Sequence, residues 1–160
     1  MKLSLLIAAS TLVVAAPAAA QVMAPAEYVM TAGASDLYER TSSQVVLQTT
    51  QDRKVRDFAR MMIEHHTKST ADVKAAAMKS RVPVAPPKLM PAQAELIAQL
   101  NAERGPARDM AYIAQQRISH GQALAVQKAY AMEGTAPALR RAASGIVPVV
   151  ESHIAMLMKM

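Results

Sequence analysis

From Asp52 to Arg81, the apolar residues Val55, Phe58, Ala59, Met62, Val73 and Ala77 recur at three- and four-residue steps. That spacing gathers side chains on one face of an α-helix. His66 falls on the same stripe. A histidine in a core-facing row must meet a hydrogen-bond partner, a charge or a metal, because a desolvated imidazole left alone costs free energy. The pattern therefore predicts a long helix and raises a chemical question at its centre.

What surrounds this helix follows from composition. Hydrophobic residues make up 52% of the chain but aromatic ones only 3%, with no Trp and one Phe. A core of Ala, Val, Leu, Ile and Met suits closely packed helices, whereas strands favour β-branched and aromatic side chains. A length of 160 residues is enough for one domain around a single core.

Residues 1–20 read as a secretory leader rather than as part of the fold. Lys2 supplies the positive start, Leu3 to Ala16 the apolar run, and Ala18-Ala19-Ala20 a cleavage site ahead of Gln21. No cysteine follows to carry a lipid anchor, and no later run is long and apolar enough to span a bilayer. The expectation is a periplasmic or secreted mature chain, residues 21–160. The absence of cysteine also excludes disulfides, thiolate metal sites and thiol catalysis. The net charge of +6 falls by one when Lys2 leaves with the leader. Basic residues cluster only at Arg53-Lys54-Arg56 and Arg140-Arg141, with no aromatics interleaved. Nucleic-acid binding is therefore disfavoured, weak attraction to an anionic envelope surface is expected, and a solvated helix face is the plainer use of both clusters.

In chain order, a first helix is predicted from Ala26 to Thr50, with Pro25 at its start. Ala32, Ser35, Glu39, Ser42 and Val46 form one narrow row of small side chains around a carboxylate, which is read either as interior or as a solvated surface. Met30, Ala34, Leu37, Thr41 and Val45 form a second row for apolar contact. Asp52 is placed to cap the next helix. Pro83, Pro86, Pro87 and Pro91 then end that helix and favour an extended connector. A short helix follows from Pro91 to about Glu103, closed by Gly105-Pro106. The connector is read either as a crossing of the bundle or as a local turn. A third long helix, about Ala107 to Glu133, carries Ile113, His120, Leu124 and Ala131 on one face. The last begins near Pro137, with Thr135 or its neighbour as cap, and its stripe is Leu139, Ala142, Ile146, Val150, His153, Leu157 and Met160. Pro148 is expected to kink it.

Each long helix thus carries one candidate ligand near its middle: Glu39, His66, His120 and His153. Counted from the breaks that join the helices, at roughly 1.5 Å per residue, the four lie at similar depths. Bundle interiors build metal sites from such inward glutamates and histidines. The alternative is a set of core histidines satisfied by Tyr28, Tyr38, Tyr112, Ser119 or backbone carbonyls. His65 lies about a hundred degrees around the helix from His66 and is expected to be exposed.

The segment Val55-Arg56-Asp57-Phe58-Ala59-Arg60-Met61-Met62, leading to His65-His66-Thr67, resembles the family of domain of unknown function 4142. Asp109-Met110-Ala111-Tyr112-Ile113, the helix around His120, and Pro148 to His153 extend the resemblance over nearly the whole mature chain. His65 stands where that family usually has an acid. The resemblance implies an all-α, ferritin-like four-helix bundle of the cell envelope, without an established activity. In ferritin-like iron sites, Glu-x-x-His motifs supply bridging carboxylates. Here Ile63 precedes His66 and Val150 precedes His153, so a di-iron oxidase is disfavoured.

The remaining set, one carboxylate and three imidazoles, suits a single zinc, copper, nickel or iron ion. Met62, one turn before His66, and the group Met156, Met158 and Met160 add thioethers that suit copper, although core filler is the commoner use of Met. The sequence thus predicts an exported ferritin-like bundle with a Pro-rich connector and a short extra helix between the second and third long ones. Its function is expected to be metal binding or stress protection without catalysis. A metal-dependent oxidoreductase and a metal-free structural module are the rival readings.

Overall fold

The computed structural model describes residues 22–160 and places in them five helices: α1 Pro25–Leu47, α2 Arg53–Lys79, α3 Pro91–Ala102, α4 Gly105–Glu133 and α5 Pro137–Leu157. The predicted leader, residues 1–20, lies outside the described residues. Local chemistry sets the boundaries. Asp52 caps α2 as expected, its carboxylate accepting from the backbone amides of Lys54 and Val55 at 2.7 and 3.1 Å. Asp52→Ala is expected to cost about 1 kcal/mol, read as a lower urea midpoint. Prolines open α1, α3, α4 and α5 within their first two positions, where a missing amide hydrogen costs nothing.

Some expectations shift. Gly105 does not close α3; at a φ of 54° it opens α4. Ala136, the neighbour of Thr135, occupies the N-cap of α5, but it makes no side-chain bond there. Met30 is 61% exposed, so the second row of α1 buries Ala34 and Val45 but not its first residue. On α4, Ile113, Leu124 and Ala131 are only half-buried, and the buried face is Tyr112, Gln116, His120, Gln127 and Tyr130. As the sequence predicts, α5 runs on either side of Pro148.

The connector crosses the bundle. At the start of α4, Arg108 donates to the Val45 carbonyl at 2.8 Å, and Asp109 accepts from Thr50 at 2.9 Å. The fourth helix therefore begins beside the turn where α1 hands over to α2. To get there, the chain leaves the far end of α2, runs its prolines past Gly33 and sends α3 along α1 until Leu100 packs with Val45 and Val46. The closest packing is α1 on α2 and α4 on α5, completed by α1 on α4 and α2 on α5. A bundle with one such crossover has ferritin-like connectivity. No helix among the described residues is long and apolar enough to cross a membrane.

The apolar core is divided. One cluster, with Val46, Phe58, Met62, Leu100, Tyr112 and Leu157, fills the end near the α1–α2 turn. A second, with Tyr28, Ala32, Val73, Tyr130, Leu139 and Ala143, fills the opposite end. Between them lies a layer of buried polar side chains: Asp36, Glu39, Ser42, His66, Gln116, His120 and His153. Such groups are costly to desolvate unless paired, so the layer needs its own account.

Candidate metal centre

All four predicted residues lie in that layer. Glu39 is fully buried on α1, and the exposures of His66, His120 and His153 are 6%, 1% and 1%. The three rings meet at centroid separations of 5.3 to 5.8 Å. One ring nitrogen from each lies within 4.8 Å of the others, a grouping that does not include Glu39.

Hydrogen bonding assigns the remaining nitrogens. His120 Nδ1 lies 2.9 Å from the Gln116 carbonyl, which can only accept, so this nitrogen carries the proton and Nε2 is left with a lone pair. His153 Nδ1, 3.2 Å from that lone pair, is then the donor. The same logic passes along the row: His153 Nε2 accepts, and His65 Nδ1, 2.8 Å away, donates. His66 Nδ1 donates to the Asp36 carboxylate at 2.8 Å. His66 Nε2 is buried without a hydrogen-bond partner.

His65 was expected to face solvent, but it is half-buried and stacks on His153 at a centroid distance of 5.1 Å. The hundred-degree offset from His66 is real, but α5 lies against that flank of α2 and covers it. The tyrosines offered as alternative partners are engaged elsewhere. Tyr28 bonds Gln127, Tyr38 bonds Gln115 and Tyr112 bonds Ser43, while Ser119 donates to Glu39. Of the satisfying groups considered from sequence, only a backbone carbonyl, that of Gln116, reaches one of the three rings. Met62 is packed in the apolar cluster, and Met158 is 74% exposed, so the terminal methionines do not gather into a site.

Two residues that join this site, Asp36 and His65, are not assigned to it by the sequence pattern. Asp36 lies three positions before Glu39, the helical spacing of neighbours on one face, and that offset was the available signal. For His65 no such signal exists, since its partner is 88 residues away.

Electrostatics separate the rings. Burial would depress His66, but the hydrogen bond it donates to Asp36 and the fields of Glu39 and Asp36 outweigh it and raise the pKa, with Arg40 opposing. His120 is lowered by burial first, against the field of Glu39. Burial, then the neighbouring His120, His66 and His65, push His153 down to about 3. His120 and His153 thus stay neutral in the folded chain and bind protons once it unfolds. Stability is lost as pH falls below the unfolded imidazole value of about 6.5. His66 works in the opposite sense: its contribution is full below that value and fades as pH rises through its raised folded pKa. Metal-free protein is expected to be less stable at pH 4.5 than at pH 7.5, with His153 contributing roughly 2 kcal/mol. Denaturant melts at the two pH values check this, and His153→Leu should flatten the difference.

Glu39 stands beside the cluster. Its Oε1 accepts from Ser119 at 2.7 Å and lies 3.8 Å from His120 Nδ1, while Oε2 is buried without a partner. Two buried carboxylates, Asp36 and Glu39, thus flank three imidazoles of which two are held neutral.

Fold and site together define an all-helical bundle with one crossover and a buried polyhistidine layer. The chain belongs to the family of domain of unknown function 4142, whose description matches residues 10–160. Among solved structures it is similar to a DUF305 protein of Streptomyces coelicolor assigned as secreted, at a TM-score of 0.66 and 17% identity. That alignment covers 86% of this chain and 90% of the other. Comparison with curated proteins finds no match.

Proposed function

We propose that this is an exported metal-binding protein of the cell envelope, in which His66, His120 and His153 hold a single transition-metal ion. One observation carries the reading. The outward nitrogen of each ring is already engaged, by Asp36, by the Gln116 carbonyl and by His65, which leaves the inward nitrogens converged. Ion binding moves the His153 proton from Nδ1 to Nε2, which then donates to His65 Nδ1. Histidines that ligate metals almost always have their second nitrogen fixed in this way. Asp36 and Glu39 add two buried negative charges that a divalent cation offsets.

Imidazole donors without thiolates suit zinc, copper, nickel or iron. Carboxylates able to bridge two irons are missing, with Ile63 and Val150 in the positions that would supply them. Glu39 acts from beside the site, holding charge next to His120 rather than joining the three rings. The function that fits is metal binding or storage, with protection of the envelope under stress as its purpose. The leader-like sequence of residues 1–20 and the secreted assignment of the structural neighbour support export.

Metal analysis of protein purified without chelator tests this. The expected result is one ion per chain, and none in a folded His66→Ala/His153→Ala variant. If the folded wild-type protein takes up none of zinc, copper, nickel or iron on dialysis, the reading is overturned. Asp36→Asn should weaken affinity by about 10- to 100-fold, as loss of an outer-shell partner does, in a competition titration with a chromogenic chelator.

A further inference from the structure

The polyhistidine layer is reached from one side. Between α2 and α5 runs a groove of about 530 Å³ whose lining includes His65, His66 and His153 but not His120. These two helices meet less closely than either α1 with α2 or α4 with α5. Ile146 and Val150 give the groove an apolar wall, and Lys68 and Arg141 bring positive charge to it, with Asp72 offsetting Lys68. On the α5 side, Gly145 leaves the space open: a Cβ built there meets nothing within 4 Å.

We propose that this groove is the entrance to the metal centre, through which a small anion reaches an open coordination position on the ion. The inference rests on the metal reading above. Three protein nitrogens leave a metal ion with room for an exogenous ligand, as in catalytic rather than closed structural sites. The groove reaches two of the three ligand rings directly. Because His66 and His153 are only 6% and 1% exposed, its inner end passes small species and excludes large ones. A cation at the end, with Lys68 and Arg141 along the way, selects for negative charge.

Cobalt(II)-loaded protein titrated with azide tests the proposal, because both ion and anion report in the visible spectrum. Wild type is expected to bind one cobalt and to show a saturable spectral change with azide. Gly145→Trp, which fills the groove, should keep its cobalt, lose the azide response at the same concentrations and release cobalt to EDTA about tenfold more slowly or slower still. Gly121→Trp, on α4 where a Cβ also meets nothing within 4 Å, should behave as wild type.

If wild type binds no cobalt, the metal reading itself fails. If cobalt binds but azide gives no response, or Gly145→Trp matches wild type in azide response and release rate, the entrance is wrong while the metal site stands. Should Gly145→Trp not fold, Lys68→Glu/Arg141→Glu reverses the charge at the groove. It should weaken azide binding by about tenfold while cobalt affinity holds or rises, and unaltered azide affinity overturns the proposal.

Discussion

Chelator-stripped protein is expected to gain about 10 °C in melting temperature when zinc(II) or copper(II) is added at a free concentration near a hundred times its dissociation constant. His120→Ala should abolish the gain. An ion that binds only the folded chain stabilises it by RT ln(1 + [L]/Kd), about 2.7 kcal/mol at that concentration. A domain of this size responds by roughly 3 to 4 °C per kcal/mol. Removing the His120 ring has its own packing cost, since it is fully buried at 1% exposure. The difference between the metal-free and loaded melts of each variant is therefore the quantity to compare. His65→Ala should keep a reduced gain, because His153 loses the partner of its second nitrogen but keeps the nitrogen that faces the cluster. Identical melts with and without each ion in wild type would remove the metal site from the account.

Gly134→Ala is expected to lower unfolding free energy by roughly 3 kcal/mol. Its backbone, at φ −55° and ψ 138°, suits any residue, so the reason is not conformational freedom. A Cβ at this position would lie 2.6 Å from both a ring carbon and the carbonyl oxygen of Tyr130. Neither retreats easily. The ring is stacked on Tyr28 at 3.8 Å and 11°, and the carbonyl accepts from the Gly134 amide at 2.9 Å. Chemical denaturation gives the comparison, with Gly121→Ala and Gly145→Ala as controls. Both controls lie in exposed helical positions with open space and should gain about 0.5 to 1 kcal/mol. A Gly134→Ala variant as stable as wild type would mean that the Tyr28–Tyr130 stack is looser than its geometry.

Gly134 ends α4, a role that a glycine after a long helical run announces in a sequence, but its close approach to Tyr130 shows only in three dimensions. The same division runs through the whole chain. Periodicity located α2 and α5 because their apolar stripes are clean, and His66 and His153 stand inside those stripes. α1 and α4 were legible only as helices. Their buried faces carry Asp36, Glu39, Ser42, Ser43, Gln115 and Gln116, and a hydrophobic pattern cannot mark a face made of polar residues. Counting from the breaks was enough to bring the three imidazoles to one level. It did not reveal that α5 lies beside α2 and α4 beside α1, because that depends on a crossover set by contacts between Thr50 and Asp109 and between Val45 and Arg108. Once α5 is known to lie beside α2, the inward position of His65 follows. Asp36 lies within reach of sequence reasoning, one helical step from Glu39, but an aspartate inside a helix reads as a surface residue.

Placing oil at both ends of the bundle and polar groups only in the middle separates what holds the rods together from what the rods carry. Each end is clamped by its own apolar residues, so side chains in the central layer are free to be exchanged for other donors while the scaffold keeps its shape. On the proposed metal reading, a relative that retained both clamps and rewrote only this layer would bind a different ion, or none, on the same frame.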